Sequence, residues 1–265
     1  MAATLKGAEN APRMAYVLHG ILGTSRNWSA FVDRWVRSNP SWKVLLVDHR
    51  GHGNSRGLPG PHDLLACAKD LEALAADHGP PQLILGHSFG TKVALTYVAR
   101  NPRTVNSVWL VDAPPGRNDT QSKFEIDFVI SAIEWVNLPS QSRGQVVAEL
   151  RDFGLPEPIA RWLSTSLGGP PGNVVFHLEL DVVRELLEDY FAKDLWPVVE
   201  DESRTTKLSF VRASRSNRIE GENLATLRSL HAEGKVRLVE LDSGHWVNAD
   251  DPAGLWNAMQ LDLAP

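Results

Sequence analysis

Three kinds of function are disfavoured by what the sequence lacks. A single cysteine, Cys67, among 265 residues excludes an intramolecular disulfide and any multi-cysteine zinc or iron–sulfur site. Long apolar runs are missing as well. Stretches such as Val44–Val47 and Leu83–Leu85 fall far short of the roughly 20 residues a membrane helix requires. Nor is there a surplus of basic charge: Lys and Arg number 27 against 32 Asp and Glu, a net charge of −5. A general nucleic-acid binder would carry a basic surface against the phosphates. The opening MAATLKGAENAPRM has neither the apolar core of a secretory signal nor an Arg-rich amphipathic pattern. A reducing, cytoplasm-like compartment is expected, with an organelle left open. Internal repeats and low-complexity tracts are absent.

What remains is a globular composition, 43% hydrophobic and 22% charged, long enough for one large domain with an embedded subdomain. Short β-rich runs recur at Met14–Leu18, Lys43–Val47, Gln82–Leu85, Ser107–Val111, Leu208–Arg212 and Val236–Leu241. Several are almost continuously apolar, as strands covered on both faces of a parallel sheet must be. Helical patterns fill the intervals, at Asp63–His78 and from Thr91 to Arg100, where Asn101-Pro102 stops the helix. Strand–helix alternation predicts an α/β fold with a doubly wound, mostly parallel sheet.

The rhythm breaks between Val111 and Leu208, where no convincing strand appears. Helical patterns stand there instead, at Lys123–Val136, Gly144–Phe153, Pro158–Leu167 and Asp181–Ala192. An insertion after a strand's carboxyl end lies over the crevice where open α/β sheets bind ligands. Residues 117–204 are therefore expected to form a helical lid on a core of residues 1–116 and 205–265.

The chemistry concentrates at strand ends. Gly86-His87-Ser88-Phe89-Gly90 follows an apolar strand and opens a helix, the setting in which a serine sits on a tight elbow. A Cβ at either glycine would crowd that turn. A hydroxyl needs a base, and His245, in Ser243-Gly244-His245 after the last strand, can reach the same sheet edge. The acid is less direct. The loop after Leu208–Arg212 reads Ala213-Ser214-Arg215-Ser216-Asn217-Arg218 and holds no carboxylate before Glu220. Asp112, directly after Ser107–Val111, offers one a strand earlier and is the preferred acid. Glu220, or a Ser–His pair assisted by Ser216 or Asn217, stays open. Backbone donors for an oxyanion are expected from the N–H of Phe89 and of Ile21, in the loop His19-Gly20-Ile21-Leu22-Gly23. Gly20 lets that backbone come close; His19, like His49, His52 and His87, is expected mainly to shape loops.

At these residues the sequence resembles the α/β-hydrolase superfamily. The matching segments are HGILG (19–23), DHRGHGNS (48–55), GHSFG (86–90) and SGHWVNADDP (243–252), in the family's order. Within it the chain is similar to a branch of small acyl-ester hydrolases of bacteria and eukaryotic organelles. The basis is Val111-Asp112-Ala113-Pro114 and the segment Phe176 to Arg184 late in the lid. The resemblance implies an acid at Asp112 supported by Ser216. The short N-terminus departs from the branch's opening β-hairpin, so one or both edge strands are expected to be lost. Phe89 and Thr91 replace the more usual Met or Gln and Gly, and the Phe89 side chain is expected to narrow the pocket.

The expected reaction is hydrolysis of a small-molecule carboxylic ester, or an acyl thioester, with an apolar acyl group. It proceeds through an acyl-enzyme on a Ser88–Asp112–His245 triad, with no metal or organic cofactor. No nucleic acid and no membrane span is involved. Haloalkane dehalogenases and epoxide hydrolases place Asp at the elbow, which Ser88 contradicts. A triad-bearing lyase or carbon–carbon hydrolase shares these residues, and a small-molecule receptor on the same fold is the alternative from outside enzymology.

Overall fold

The computed structural model describes residues 1–117 and 120–263, of Thr120 the backbone alone. In chain order the first elements are β1 (Ala3–Lys6), β2 (Arg13–Leu18), α1 (Ser29–Ser38), β3 (Trp42–Val47), α2 (Leu64–His78), β4 (Leu83–His87), α3 (Phe89–Arg100) and β5 (Ser107–Val111). The helical interval follows: α4 (Thr120–Trp135), α5 (Arg143–Phe153), α6 (Glu157–Leu163), β6 (Leu167–Gly168), β7 (Val175–Phe176), α7 (Leu180–Ala192) and α8 (Trp196–Glu200). The chain then returns through β8 (Lys207–Ala213), α9 (Gly221–Ala232), β9 (Arg237–Leu241), α10 (Val247–Asp250) and α11 (Pro252–Leu263).

Seven strands form one sheet in the order β1-β3-β2-β4-β5-β8-β9, all parallel except β1. Residue alternation explains why both faces are covered. Met14, Tyr16, Leu18, Ile84, Leu110 and Phe210 point to a core shared with α2, α3 and α9. Their neighbours Ala15, Val17, Leu85, Trp109 and Val211 point to the opposite core, filled by Phe31, Val32 and Trp35 of α1 and by Leu255, Trp256 and Met259 of α11. Burying each such large side chain contributes about 1.5–3 kcal/mol, so both helical layers are held firmly. Helix α2 begins where the Asp63 carboxylate accepts the Ala66 N–H at 2.6 Å, satisfying one of the donors that every helix start leaves over.

One expectation is narrowed and two features differ. An edge strand is present at the N-terminus: β1 pairs antiparallel to β3, Ala3 opposite Val47 and Lys6 opposite Val44. Four residues with no buried side chain give no periodicity to read. The helix expected over Pro158–Leu167 stops at Leu163, passing through a 3₁₀ turn at Ser164–Ser166 into β6. The insertion also contains an antiparallel ribbon, β6 with β7, too short to announce itself as strand. Residues 118–119 of the expected lid lie outside the described residues.

The register sets up the site. Leu18 lies opposite Gly86, His87 opposite Val111, Val111 opposite Val211 and Ala213 opposite Leu241. The loops that follow β2, β4, β5, β8 and β9 therefore leave the same edge of the sheet side by side.

Candidate active site

Ser88 sits between β4 and α3 with φ 52° and ψ −115°, a left-handed backbone that a side chain adopts only under strain. Close packing explains it. A Cβ on Gly86 would fall 2.3 Å from the Gly90 carbonyl oxygen, and one on Gly90 would fall 2.7 Å from that of Leu18. Both glycines are therefore required for the strand to turn into the helix and for the helix to lie on β2. The turn lifts Ser88 to the head of a cavity while Phe89 and Gly90 go below. The Phe89 side chain does not narrow the cavity. It is 1% exposed and packs edge-on to His49 (ring centroids 5.1 Å apart) and against Tyr190 (5.6 Å). A residue that starts a helix from a strained turn points its side chain into the core, which the motif alone does not reveal.

Asp112 and His245 meet across the loops after β5 and β9. Asp112 Oδ2 lies 2.8 Å from His245 Nδ1, and Asp112 Oδ1 accepts the Ala213 N–H at 3.1 Å. The carboxylate is fully buried and its residue also has a left-handed φ of 52°. Burial pushes the Asp112 carboxyl up, but hydrogen bonds from His245, Ser216 and the Ala213 N–H prevail and hold it below its ordinary value. Ser216 accepts the Arg218 N–H at 3.3 Å and helps to keep the Asp112 carboxyl low. Glu220 is exposed and stands at the start of α9. Asn217 turns its amide to Glu125 of α4 at 3.3 Å. The His245 loop is held from two sides: the Gly244 N–H donates to Asp250 (2.8 Å), and His87 Nε2 donates to the His245 carbonyl (2.8 Å).

Behind the loop after β2, three buried histidines form a network with backbone. The His49 N–H donates to His19 Nε2 at 3.1 Å, which leaves the His19 proton on Nδ1, 2.7 Å from the Gly20 carbonyl. The Leu22 N–H donates to His52 Nε2 at 3.0 Å, and His52 Nδ1 donates to the Arg50 carbonyl at 2.9 Å. His49 Nε2 donates to the His19 carbonyl at 3.0 Å. Burial lowers all three below the ordinary imidazole range, His52 to about 3. His19 does not line the cavity. It holds the carbonyl of the Gly20–Ile21 peptide, and planarity then directs the Ile21 N–H the other way. Neither the Ile21 nor the Phe89 N–H has a hydrogen-bond partner among the described residues. Gly20 backs directly onto the elbow: a Cβ there would lie 3.2 Å from Ser88 Cβ.

The cavity measures about 800 Å³. Its floor is Gly20, Ile21, His87, Ser88, Ser216 and His245; its walls include Ile126, Phe128 and Val129 of α4, Ile159 and Trp162 of α6, and Tyr190 of α7. Trp162 stacks on Trp246 of the histidine loop, ring centroids 5.4 Å apart. Tyr190 and Trp162 have no signal in the sequence beyond being aromatic residues on helical patterns, which core packing produces equally well; Trp246 directly follows His245 in the segment 243–252.

A family model described as alpha/beta hydrolase fold matches residues 16–137. A structure titled as a marine microorganism esterase superposes over 99% of this chain and 98% of its own, with TM-score 0.84 at 19% identity. The chain has the α/β-hydrolase fold. Two curated relatives extend along most of its length. The mouse protein named sn-1-specific diacylglycerol lipase ABHD11 is 26% identical over 98% of this chain and 83% of its own. A Saccharomyces cerevisiae protein named probable alcohol acetyltransferase is 26% identical over 93% and 76% respectively. Over a shorter span, a Neisseria meningitidis pimeloyl-[acyl-carrier protein] methyl ester esterase is 37% identical across 40% of this chain and 31% of its own. These sequence relatives are thus named as a lipase, a probable acetyltransferase and an esterase. Among the described residues, no helix is long and apolar enough to cross a membrane.

Proposed function

We propose that this α/β-hydrolase cleaves carboxylic esters of apolar acids through an acyl-enzyme on Ser88. The observation that carries the reading is the buried Asp112 carboxylate 2.8 Å from His245 Nδ1, beside a serine on a strained elbow at the head of an apolar cavity. Asp112 keeps the proton on Nδ1, so Nε2 is free to take the Ser88 proton as Oγ attacks the ester carbonyl. The resulting oxyanion is received by the N–H groups of Ile21 and Phe89, which flank Ser88 at a mainly apolar cavity, where preorganised donors count for more than in water. His245 then returns its proton to the leaving alkoxide. In the second half it draws one from water, which releases the acid and restores Ser88. Ser88 Oγ makes no hydrogen bond to the imidazole in this structure, and in hydrolases that contact tightens on substrate binding.

The insertion, residues 117–204, acts in this reading as a lid whose apolar walls take the acyl chain. The esterase and lipase names among the relatives support an ester substrate. The yeast relative's name supports a second outcome on the same intermediate, in which an alcohol replaces water as acyl acceptor. A series of p-nitrophenyl esters from acetate to palmitate, with Ser88→Ala in parallel, tests the proposal. Expected is turnover with a chain-length optimum and a loss of about 10⁴–10⁶ in kcat in the variant. Turnover that survives in Ser88→Ala, or none on any ester with the folded protein, would overturn it in favour of lyase chemistry or ligand binding.

A further inference from the structure

Lys92 lies in the first turn of α3, four residues past Ser88, and is fully buried. A buried ammonium is costly unless hydrogen-bonded, and this one is. Its Nζ donates to the Tyr190 carbonyl at 2.7 Å and to the Lys193 carbonyl at 2.9 Å, and it stands 4.5 Å from the centre of the Tyr190 ring. Those carbonyls close α7. The last turn of any helix leaves carbonyls without partners, and α7 ends on an extended Lys193 (φ −77°, ψ 128°), without a left-handed cap and with no basic residue in its own last turn. The missing donor comes from the helix that carries Ser88. Just beyond, the Leu195 N–H donates to the Pro115 carbonyl at 2.9 Å, in the loop that follows Asp112. Tyr190 lines the cavity and packs against Phe89.

We propose that Lys92 is a positioning residue: it caps α7 from the elbow helix, fixes the Tyr190 wall and thereby sets how a long acyl chain seats over Ser88. The proposal rests on the esterase reading above. Burial lowers the Lys92 ammonium from its ordinary 10.5 to about 7, with Asp194 and then Asp189 opposing the shift. Those two carboxylates face it from the end of α7; from α2 the buried Cys67 faces Asp189, its thiol pushed up by burial. Asp189 also accepts the Leu64 N–H at 2.9 Å and Asp194 the Trp196 N–H at 3.0 Å.

The sign of the pH effect gives a signature. Between about 7 and the unfolded value near 10.4 the unfolded chain binds more protons at this lysine, so its contribution to global stability rises with pH. Opening of α7 solvates the same lysine and takes up the same proton, so the free energy of that opening rises with pH over the same window. Local protection of α7 and global stability therefore rise together through this lysine, and a neutral replacement flattens both.

The experiment combines amide exchange of residues 186–196, thermal unfolding, and KM for p-nitrophenyl octanoate and acetate, from about pH 6 to about pH 9. Expected in the wild type is a fall in exchange, corrected for intrinsic rates, as pH rises past about 7. Lys92→Met, which removes the donor, should raise exchange and raise the octanoate-to-acetate KM ratio about five-fold at every pH, with kcat for acetate little changed. Lys92→Gln, whose amide donates without titrating, should restore protection and flatten the pH dependence. Exchange and KM ratio both unchanged in Lys92→Met would overturn the proposal, as would raised exchange with an unchanged ratio. If Lys92→Met does not fold, the wild-type pH series and Lys92→Gln still decide. Exchange and unfolding need no turnover, so an inactive wild type would refute the esterase reading while the capping role is still tested.

Discussion

The floor and the roof of the cavity are built by different means. On the floor, side chains are locked to backbone: His19 to the Gly20 carbonyl, His52 to the Leu22 N–H, Asp112 to the Ala213 N–H. Each bond is buried, directional and costly to leave unmade. Much of the roof is held by aromatic contact instead. Phe128 and Trp135 of α4 pack on Phe153 of α5 at 5.3 and 5.7 Å, and Phe124 is 71% exposed at the rim. The polar tie between α4 and the loop after β8 runs from Glu125 to Arg218 (2.8 Å) and Asn217 (3.3 Å). Directional bonds fix a reacting geometry, whereas aromatic contacts tolerate rearrangement. In the proposed reaction, chemistry thus belongs to the floor and choice of substrate to the roof.

The largest blow to this division would come from Asp112. Asp112→Asn leaves the shape intact but disturbs the imidazole tautomer, and kcat should fall by about 10³–10⁴. Near-normal turnover would return the acid's role to the loop after β8. A smaller loss is expected at His19, which does not line the cavity. His19→Ala frees the Gly20–Ile21 peptide and should lower kcat about 10- to 100-fold, with KM for short esters nearly constant. An effect on KM alone would mean that the floor is less rigid than its bonds suggest.

Acid should also find the floor first. The buried histidines are neutral in the fold, with values below the ordinary 6.5 and His52 near 3. The unfolded chain binds more protons below about 6.5, so their contribution is present at neutral pH and fades as pH falls toward about 3. The lowered Asp112 acts in the same direction. Melting temperature should drop by roughly 5–10 °C between about pH 7 and about pH 4.5. A flat profile by calorimetry would contradict a neutral histidine network. The mildest change belongs to the roof. Trp162→Ala, losing its stack on Trp246, should move the preferred ester chain length and raise KM a few-fold, about 1 kcal/mol, with kcat for acetate preserved. An equal fall in kcat for all esters would place Trp162 with the floor.

What the sequence discloses follows the same division. Continuous apolar runs at Met14–Leu18, Lys43–Val47 and Ser107–Val111 come within one residue of β2, β3 and β5, because strands covered on both faces leave no other choice of composition. The elbow reads directly from its glycines, since a Cβ on Gly86 would strike Gly90 and one on Gly90 would strike Leu18 of β2. Ser88, Asp112 and His245 share one sheet edge because parallel strands deliver their carboxyl ends together. Less local features stay hidden. β1 has no buried residue to betray it, and the ribbon β6–β7 is two residues wide on each side. The three histidines are visible as residues, but the protons they exchange with His49, Leu22 and Arg50 backbone depend on two loops meeting. The inward turn of Phe89 and the burial of Lys92 depend on α7, more than ninety residues away in the chain.

The backbone at Ser88 carries a further consequence, for selection. At φ 52° any residue with a Cβ is strained, by about 1–3 kcal/mol, and glycine alone escapes. Ser88→Gly should therefore melt above Ser88→Ala although both are inert, and the gap between the two measures what the elbow withholds from stability. A population screened only for heat resistance would drift toward glycine at this position, and one screened for turnover would hold serine. The two pressures oppose each other at a single residue, so stabilising changes compatible with activity must be sought elsewhere.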